Sequence, residues 1–211
     1  MPEDQTQWHR EVLPAGWERA AEDLASRGAL TDFYLAGGTG LALRIGHRRS
    51  ADFDLFAQNE FAPGVLRDRL AGLAGLRIRQ IVSGTIHLEL QNILVSFLHY
   101  PYPLLFPSQM FETLAVADSR DIACMKLNAI AGRASRRDFV DFYAVAKAYG
   151  LTEILGWFDT KHRAAPYNRV HLLKALTYFA DAELEPMPNM LVPLDWSLVT
   201  SFFTREATRL I

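Results

Sequence analysis

Closely spaced prolines at 101, 103 and 107 divide this chain into two different hydrophobic periods. Proline has no amide hydrogen to give to a strand ladder, so such a cluster marks the exit from a sheet. Before it, short apolar runs are punctuated by glycine and polar turns. Strands are expected over residues 33–36, 52–56, 77–82, 85–90 and 93–98, with helices over 17–27, 39–45 and 64–73. After it the apolar residues recur at helical spacing, and helices are expected over 119–131, 136–149, 152–161, 169–182 and 196–210. The chain is therefore expected to be α+β: a mixed sheet with flanking helices over residues 1–109, then a C-terminal helical bundle over 110–211 that closes over the sheet.

The 211 residues suit one domain, or a catalytic domain with a helical appendage. Half of them are hydrophobic and 22% are charged, which argues for a packed core and against disorder. A net charge of −2 excludes a generally basic nucleic-acid binder, so any nucleic-acid contact must come from a local patch. A single cysteine, Cys124, excludes an internal disulfide or a cysteine-rich zinc site, and the histidines lack metal-ligand spacing. No apolar run approaches the ~20 residues of a membrane span. Glu3, Asp4, His9, Arg10 and Glu11 leave no room for a secretory signal, so a cytoplasmic protein with no membrane partner is expected.

Chemistry concentrates in two blocks. In the first, Asp52 and Asp54 alternate with Phe53 and Leu55, the period of a half-buried strand, and so share one face. Two such carboxylates can hold Mg²⁺ beside a phosphate, or can simply be the wet face of a strand. Phe53, Leu55 and Phe56 count against the second reading. Upstream, Gly37-Gly38-Thr39 lies between a strand and a helix, where a close backbone approach and unpaired helix N–H groups favour a phosphate; an ordinary turn would look the same. Arg44, His47, Arg48, Arg49 and Ser50 sit between these features and could neutralise a triphosphate. In the second block, Lys126, Arg133, Arg136 and Arg137 make a locally basic stretch. Gly132 and Ser135 suggest a helix break there, with Asp138 at the third position of a new helix, where a capping role is open to it.

The stretch from Tyr34 to Phe56, with its Gly-Gly turn, spacer and Asp-Phe-Asp, resembles the AbiEii/AbiGii-type toxin family of the nucleotidyltransferase superfamily. The stretch from Asp121 to Tyr143, with Lys126 and Arg137-Asp138, is similar to the family's second block. The resemblance implies a metal-dependent transfer of NMP from an NTP to an RNA, a tRNA 3′ end among them, or to a protein hydroxyl. It implies Mg²⁺ or Mn²⁺ on Asp52 and Asp54, catalytic roles for Asp52, Asp54, Lys126 and Asp138, and a nucleotide held by Gly37, Gly38, Thr39, Arg49, Ser50 and Lys126. Lys126 would lie on the triphosphate, and Asp138 would serve nucleotide handling or proton removal. A cognate antitoxin is a further implied partner. The chain departs from the superfamily where a third acid is expected: residues 93–98 place Ser96 there. If Gln91-Asn92 is a two-residue turn, His87 faces Ser96 and Glu89 lies on the same side, so Glu89 is a candidate third metal ligand. The alternative is a non-catalytic nucleotide- or RNA-binding regulatory module of the same fold.

Overall fold

The computed structural model describes residues 7–165 and 167–210; Glu3 and Asp4 of the amino-terminal reading lie outside them. Among the described residues, no helix is long and apolar enough to cross a membrane. The elements run α1 (Trp17–Ser26), β1 (Tyr34–Leu35), α2 (Gly37–Ile45), β2 (Phe53–Ala57), α3 (Pro63–Leu70), β3 (Leu76–Val82), β4 (Thr85–Leu90), β5 (Ile93–His99), β6 (Gln109–Phe111) and β7 (Leu114–Val116). Then come α4 (Ser119–Arg133), α5 (Arg136–Tyr149), α6 (Leu151–Lys161), α7 (Arg169–Ala175), α8 (Ala180–Glu183) and α9 (Trp196–Thr208).

The strands form one mixed sheet in the order β3-β4-β5-β2-β1-β7-β6. β2 runs parallel to β5 and β1 parallel to β7, and the other neighbours are antiparallel. Because successive residues of a strand face opposite sides, β1 and β2 serve two cores. Leu35, Phe53 and Leu55 pack with α1 and α3 on one side, while Tyr34 and Phe56 turn towards α4 and the later helices. Asp54 lies on this second side, beyond the edge of the helical cover.

The α+β architecture is as expected, with three corrections of detail. The sheet does not end before residue 110: β6 and β7 follow the prolines, as a hairpin whose turn holds Glu112 at φ 51°. Strands this short carry too few residues to show alternation. The helix expected over 169–182 is broken into α7 and α8. The Gly37-Gly38 pair is not a turn ahead of a helix but the first residues of α2 itself, which ends at Gly46 in the left-handed conformation. The expected break after Gly132 is present: Ala134 closes α4 at φ 48°, and Ser135 caps α5 by accepting from the Asp138 amide.

Candidate active site

The β2–β5 register sets Asp54 beside Ser96, and the β4–β5 register sets Ser96 beside His87. Gln91 and Asn92 do form the two-residue turn, both with positive φ. The His87 ring Nδ1 lies 2.9 Å from the Ser96 hydroxyl. Asp52 immediately precedes β2 and opens into the same cleft, a polar cavity of about 230 Å³ whose walls include Gly38, Arg48, Ser50, Lys126, Arg133 and Arg137.

The first two glycines of α2 are required, for separate reasons. Gly37 has φ +61°, and a Cβ there would come within 2.6 Å of Asp54 Oδ2. A Cβ on Gly38 would collide with the Arg48 guanidinium. The close approach that glycine permits is thus used first by the protein's own carboxylate and guanidinium, while the first-turn N–H groups of α2 lack intrahelical acceptors.

Behind the cleft lies a network of buried charges. Lys126 Nζ donates to Asp138 Oδ1 at 2.8 Å and pairs with Asp141 Oδ2 at 2.6 Å. Arg48 grips both oxygens of Asp141, at 2.6 and 2.8 Å, and His47 Nε2 lies 2.8 Å from Oδ1. Arg133 reaches both oxygens of Asp138, at 2.7 and 3.1 Å, and the Ser135 hydroxyl donates to it at 2.8 Å. Burial would raise both carboxyls, but the Lys126 charge and the arginine contacts outweigh it. Asp138 is held at about 2 and Asp141 lower still.

Asp52 and Asp54 stand outside this network. Their carboxylates accept no hydrogen bond and form no ion pair among the described residues. Burial pushes the Asp54 carboxyl above its ordinary value; Lys126 opposes the shift and Asp52 adds to it. Two neighbouring, unpaired carboxylates facing a cleft are a donor set that suits Mg²⁺, which takes one or two carboxylates together with phosphate oxygens. Among the described residues, no group of three His, Cys, Asp or Glu side chains is placed to hold a metal.

Of the residues expected at the site, Gly37, Gly38, Ser50, Asp52, Asp54 and Lys126 come together around the cleft. Asp138 touches it only from behind Lys126 and Arg133, with no exposed surface. The Thr39 hydroxyl faces inward, 2.8 Å from the Ser50 hydroxyl and in contact with the Asp52 carbonyl, so it braces the loop before β2. Arg49 lines an adjacent cavity and donates to the Glu11 carbonyl at 3.2 Å. Arg44 is directed away, to the Val116 and Ala117 carbonyls. Glu89 is taken up by Arg79, with Arg77 at 4.0 Å, and does not line the cleft. Two contributors were read from sequence only as members of basic stretches, not by their places in the site. Arg48 finds Asp141 across 93 residues, a pairing no local pattern reveals. Arg137 is, among the described residues, the one cleft cation without a carboxylate partner; the basic stretch from Arg133 and its place beside Asp138 were the signals in the sequence.

No protein-family model matches the chain. The "Uncharacterized protein aq_aa25" of Aquifex aeolicus (strain VF5) is 35% identical over 193 residues, covering 89% of this chain and 92% of that protein. The chain belongs to the family of this Aquifex protein. Solved structures show the fold of this chain. MenT4, a nucleotidyltransferase toxin from Mycobacterium tuberculosis H37Rv, superposes with a TM-score of 0.55 at 16% identity, covering 96% of this chain and 85% of that one. JHP933 from Helicobacter pylori superposes with a TM-score of 0.51 at 17% identity, covering 97% and 98%. The aq_aa25 family member described here therefore has the nucleotidyltransferase fold, in the form that a toxin also carries. The resemblance in the Tyr34–Phe56 and Asp121–Tyr143 stretches is upheld at the level of fold.

Proposed function

We propose that this protein is a metal-dependent nucleotidyltransferase that moves NMP from an NTP to a hydroxyl of an RNA acceptor. One observation carries the reading: Asp52 and Asp54 are left unpaired at the mouth of a cleft whose other charges are cations. A half-buried carboxylate without a partner is costly, and a site that keeps two of them side by side is built for a cation brought with a ligand. Bound Mg²⁺ or Mn²⁺ would supply charge neutralisation for the attacking and leaving oxygens. Gly38 at the start of α2, Ser50, Lys126, Arg133 and Arg137 would receive the triphosphate. The acceptor oxygen forms its bond to the α-phosphorus as the bond bridging the α- and β-phosphates breaks. The hydroxyl proton is released to solvent and pyrophosphate leaves. Asp138, with its carboxyl held at about 2, is a poor proton acceptor. Its role here is to position Lys126 and Arg133. The exposed Arg133 and Arg137 favour a polyanionic acceptor. The likeness to a toxin leads us to include a cognate antitoxin and a cytoplasmic location in the proposal.

Ser96 supports a second reading, a nucleotide-binding regulatory module without turnover, because it leaves Asp54 with no third carboxylate beside it. A labelling assay separates the two. The protein is incubated with Mg²⁺, each α-labelled NTP and total RNA or cell extract, beside an Asp52→Ala/Asp54→Ala double variant. Label moved to RNA by the wild type alone supports the enzyme; label on protein redirects the acceptor. NTP binding without transfer selects the module.

A further inference from the structure

Beside the charged cleft lies a second cavity, of about 360 Å³, which shares Asp54, Ser96, Lys126 and Arg133 with the cleft but differs in character. Its outer part is a slot between two elements. Phe56 and Leu98 come from the sheet, Tyr100 directly follows β5, and Met125 and Ala129 come from α4. Phe56 and Tyr100 are held edge to face at 5.9 Å, which fixes the aromatic wall. Asn128, on the exposed side of α4, also lines the slot, and its carboxamide has no hydrogen-bond partner among the described residues.

We propose that this slot receives the nucleobase of the incoming NTP, and that Asn128 sets which base is accepted. The inference rests on reading the charged cleft as the triphosphate site and extends it. A nucleobase is planar, apolar on its faces and polar on its edge. Two apolar walls match the faces, and a free carboxamide, carrying a donor and an acceptor, can pair with an edge at two points. Continuity supplies the rest: Asp54, Ser96, Lys126 and Arg133 border both cavities, so an α-phosphate at Asp54 lies where the charged cleft, with Arg48 and Arg137, meets the slot. His87 also borders the slot, on the sheet side next to Ser96. A terminal base of the acceptor shares the same chemistry, so the test must separate the two sources.

The experiment is a set of binding titrations with Mg²⁺ present and no transfer required. The ligands are the four NTPs, tripolyphosphate, and short RNAs that differ only in their 3′-terminal base. The wild type is expected to rank the NTPs over a spread of about tenfold, the scale of one or two hydrogen bonds. Asn128→Ala should collapse that spread to about threefold or less, with tripolyphosphate affinity unchanged. Ala129→Phe, which fills the slot, should bring all four NTPs to the affinity of tripolyphosphate. If Asn128→Ala keeps the wild-type ranking, or if the wild type binds NTPs and tripolyphosphate alike, the slot assignment is wrong and the triphosphate site stands. A ranking that follows the RNA terminal base and not the NTP also overturns it, giving the slot to the acceptor. If neither NTP nor tripolyphosphate binds, the reading of the cleft falls as well.

Discussion

Aspartates in this chain divide by whether a cation answers them. Asp121 is met by Lys161 at 2.7 Å and by the Leu105 and Phe106 amides. Asp138 and Asp141 are met by Lys126, Arg133 and Arg48. Asp54 is unpaired, and its carboxyl is raised mainly by burial. A raised carboxyl binds its proton more tightly in the folded state, so the cost of Asp54 is absent below the ordinary carboxylate pKa and grows as pH rises through the folded value. Asp54→Asn should therefore stabilise the metal-free protein at pH 7 by roughly 1 kcal/mol, with the gain vanishing in acid, while removing transfer activity. Urea unfolding with and without Mg²⁺ checks this, since the ion should stabilise the wild type and not the variant. Asp141→Asn should move the other way: it leaves Arg48 and Lys126 underpaired in the interior, a loss of about 3–5 kcal/mol. An Asp54→Asn variant less stable than wild type at pH 7 would show that Asp54 has a partner after all.

The β4–β5 hairpin shows what an element can reveal from sequence and what it cannot. Once Gln91-Asn92 is taken as the turn, the pleat dictates that His87 opposes Ser96, and it does. The same pleat puts Glu89 on that side, but its fate is decided by β3, where a register shift between Ile78 and Gln80 accompanies Arg79 on the Glu89 carboxylate. Bulges have no reliable sequence signal, so the loss of Glu89 to an arginine was not legible. Nor was Arg48 with Asp141, because charge pairs between distant elements leave no periodic trace. Asp52 and Asp54 were legible because strand alternation is local, and Gly37 and Gly38 because glycines between a strand and a helix are a local signal, whereas Lys126 was found only through the resemblance of its stretch to a known family. The register also yields an expectation. Ser96→Asp would set a third carboxylate beside Asp54, so Mn²⁺ should bind more tightly than to wild type, and the metal-free protein should lose stability from added repulsion. Unchanged Mn²⁺ affinity, measured calorimetrically, would mean that a carboxylate at position 96 does not join the Asp52–Asp54 pair.

At the scale of the molecule, the cleft exists because one sheet carries two cores and the helical cover stops short of its β3–β5 half. The prolines suggested a division near residue 109, yet the core beneath α1 and α3 includes Phe111, Leu114 and Val116 from beyond that point. Trp17 stacks on Phe111 at 5.1 Å, and β1 has β7 as its parallel neighbour. A fragment of residues 1–109 would lose this neighbour, expose Leu35 and Trp17, and strip Asp54 of the Lys126 charge that offsets its burial. Each large apolar side chain returned to water costs about 1.5–3 kcal/mol, and a domain's whole margin is of the order of 5–15 kcal/mol. The fragment is therefore expected to lack a cooperative unfolding transition, whereas the full chain unfolds cooperatively by heat or urea. A cooperatively folding 1–109 fragment would show that the sheet is self-sufficient and that the helices were added to a finished domain. Its failure would mean that the sheet is completed only by the chain beyond residue 109, beginning with Phe111, Leu114 and Val116 in the core beneath α1 and α3.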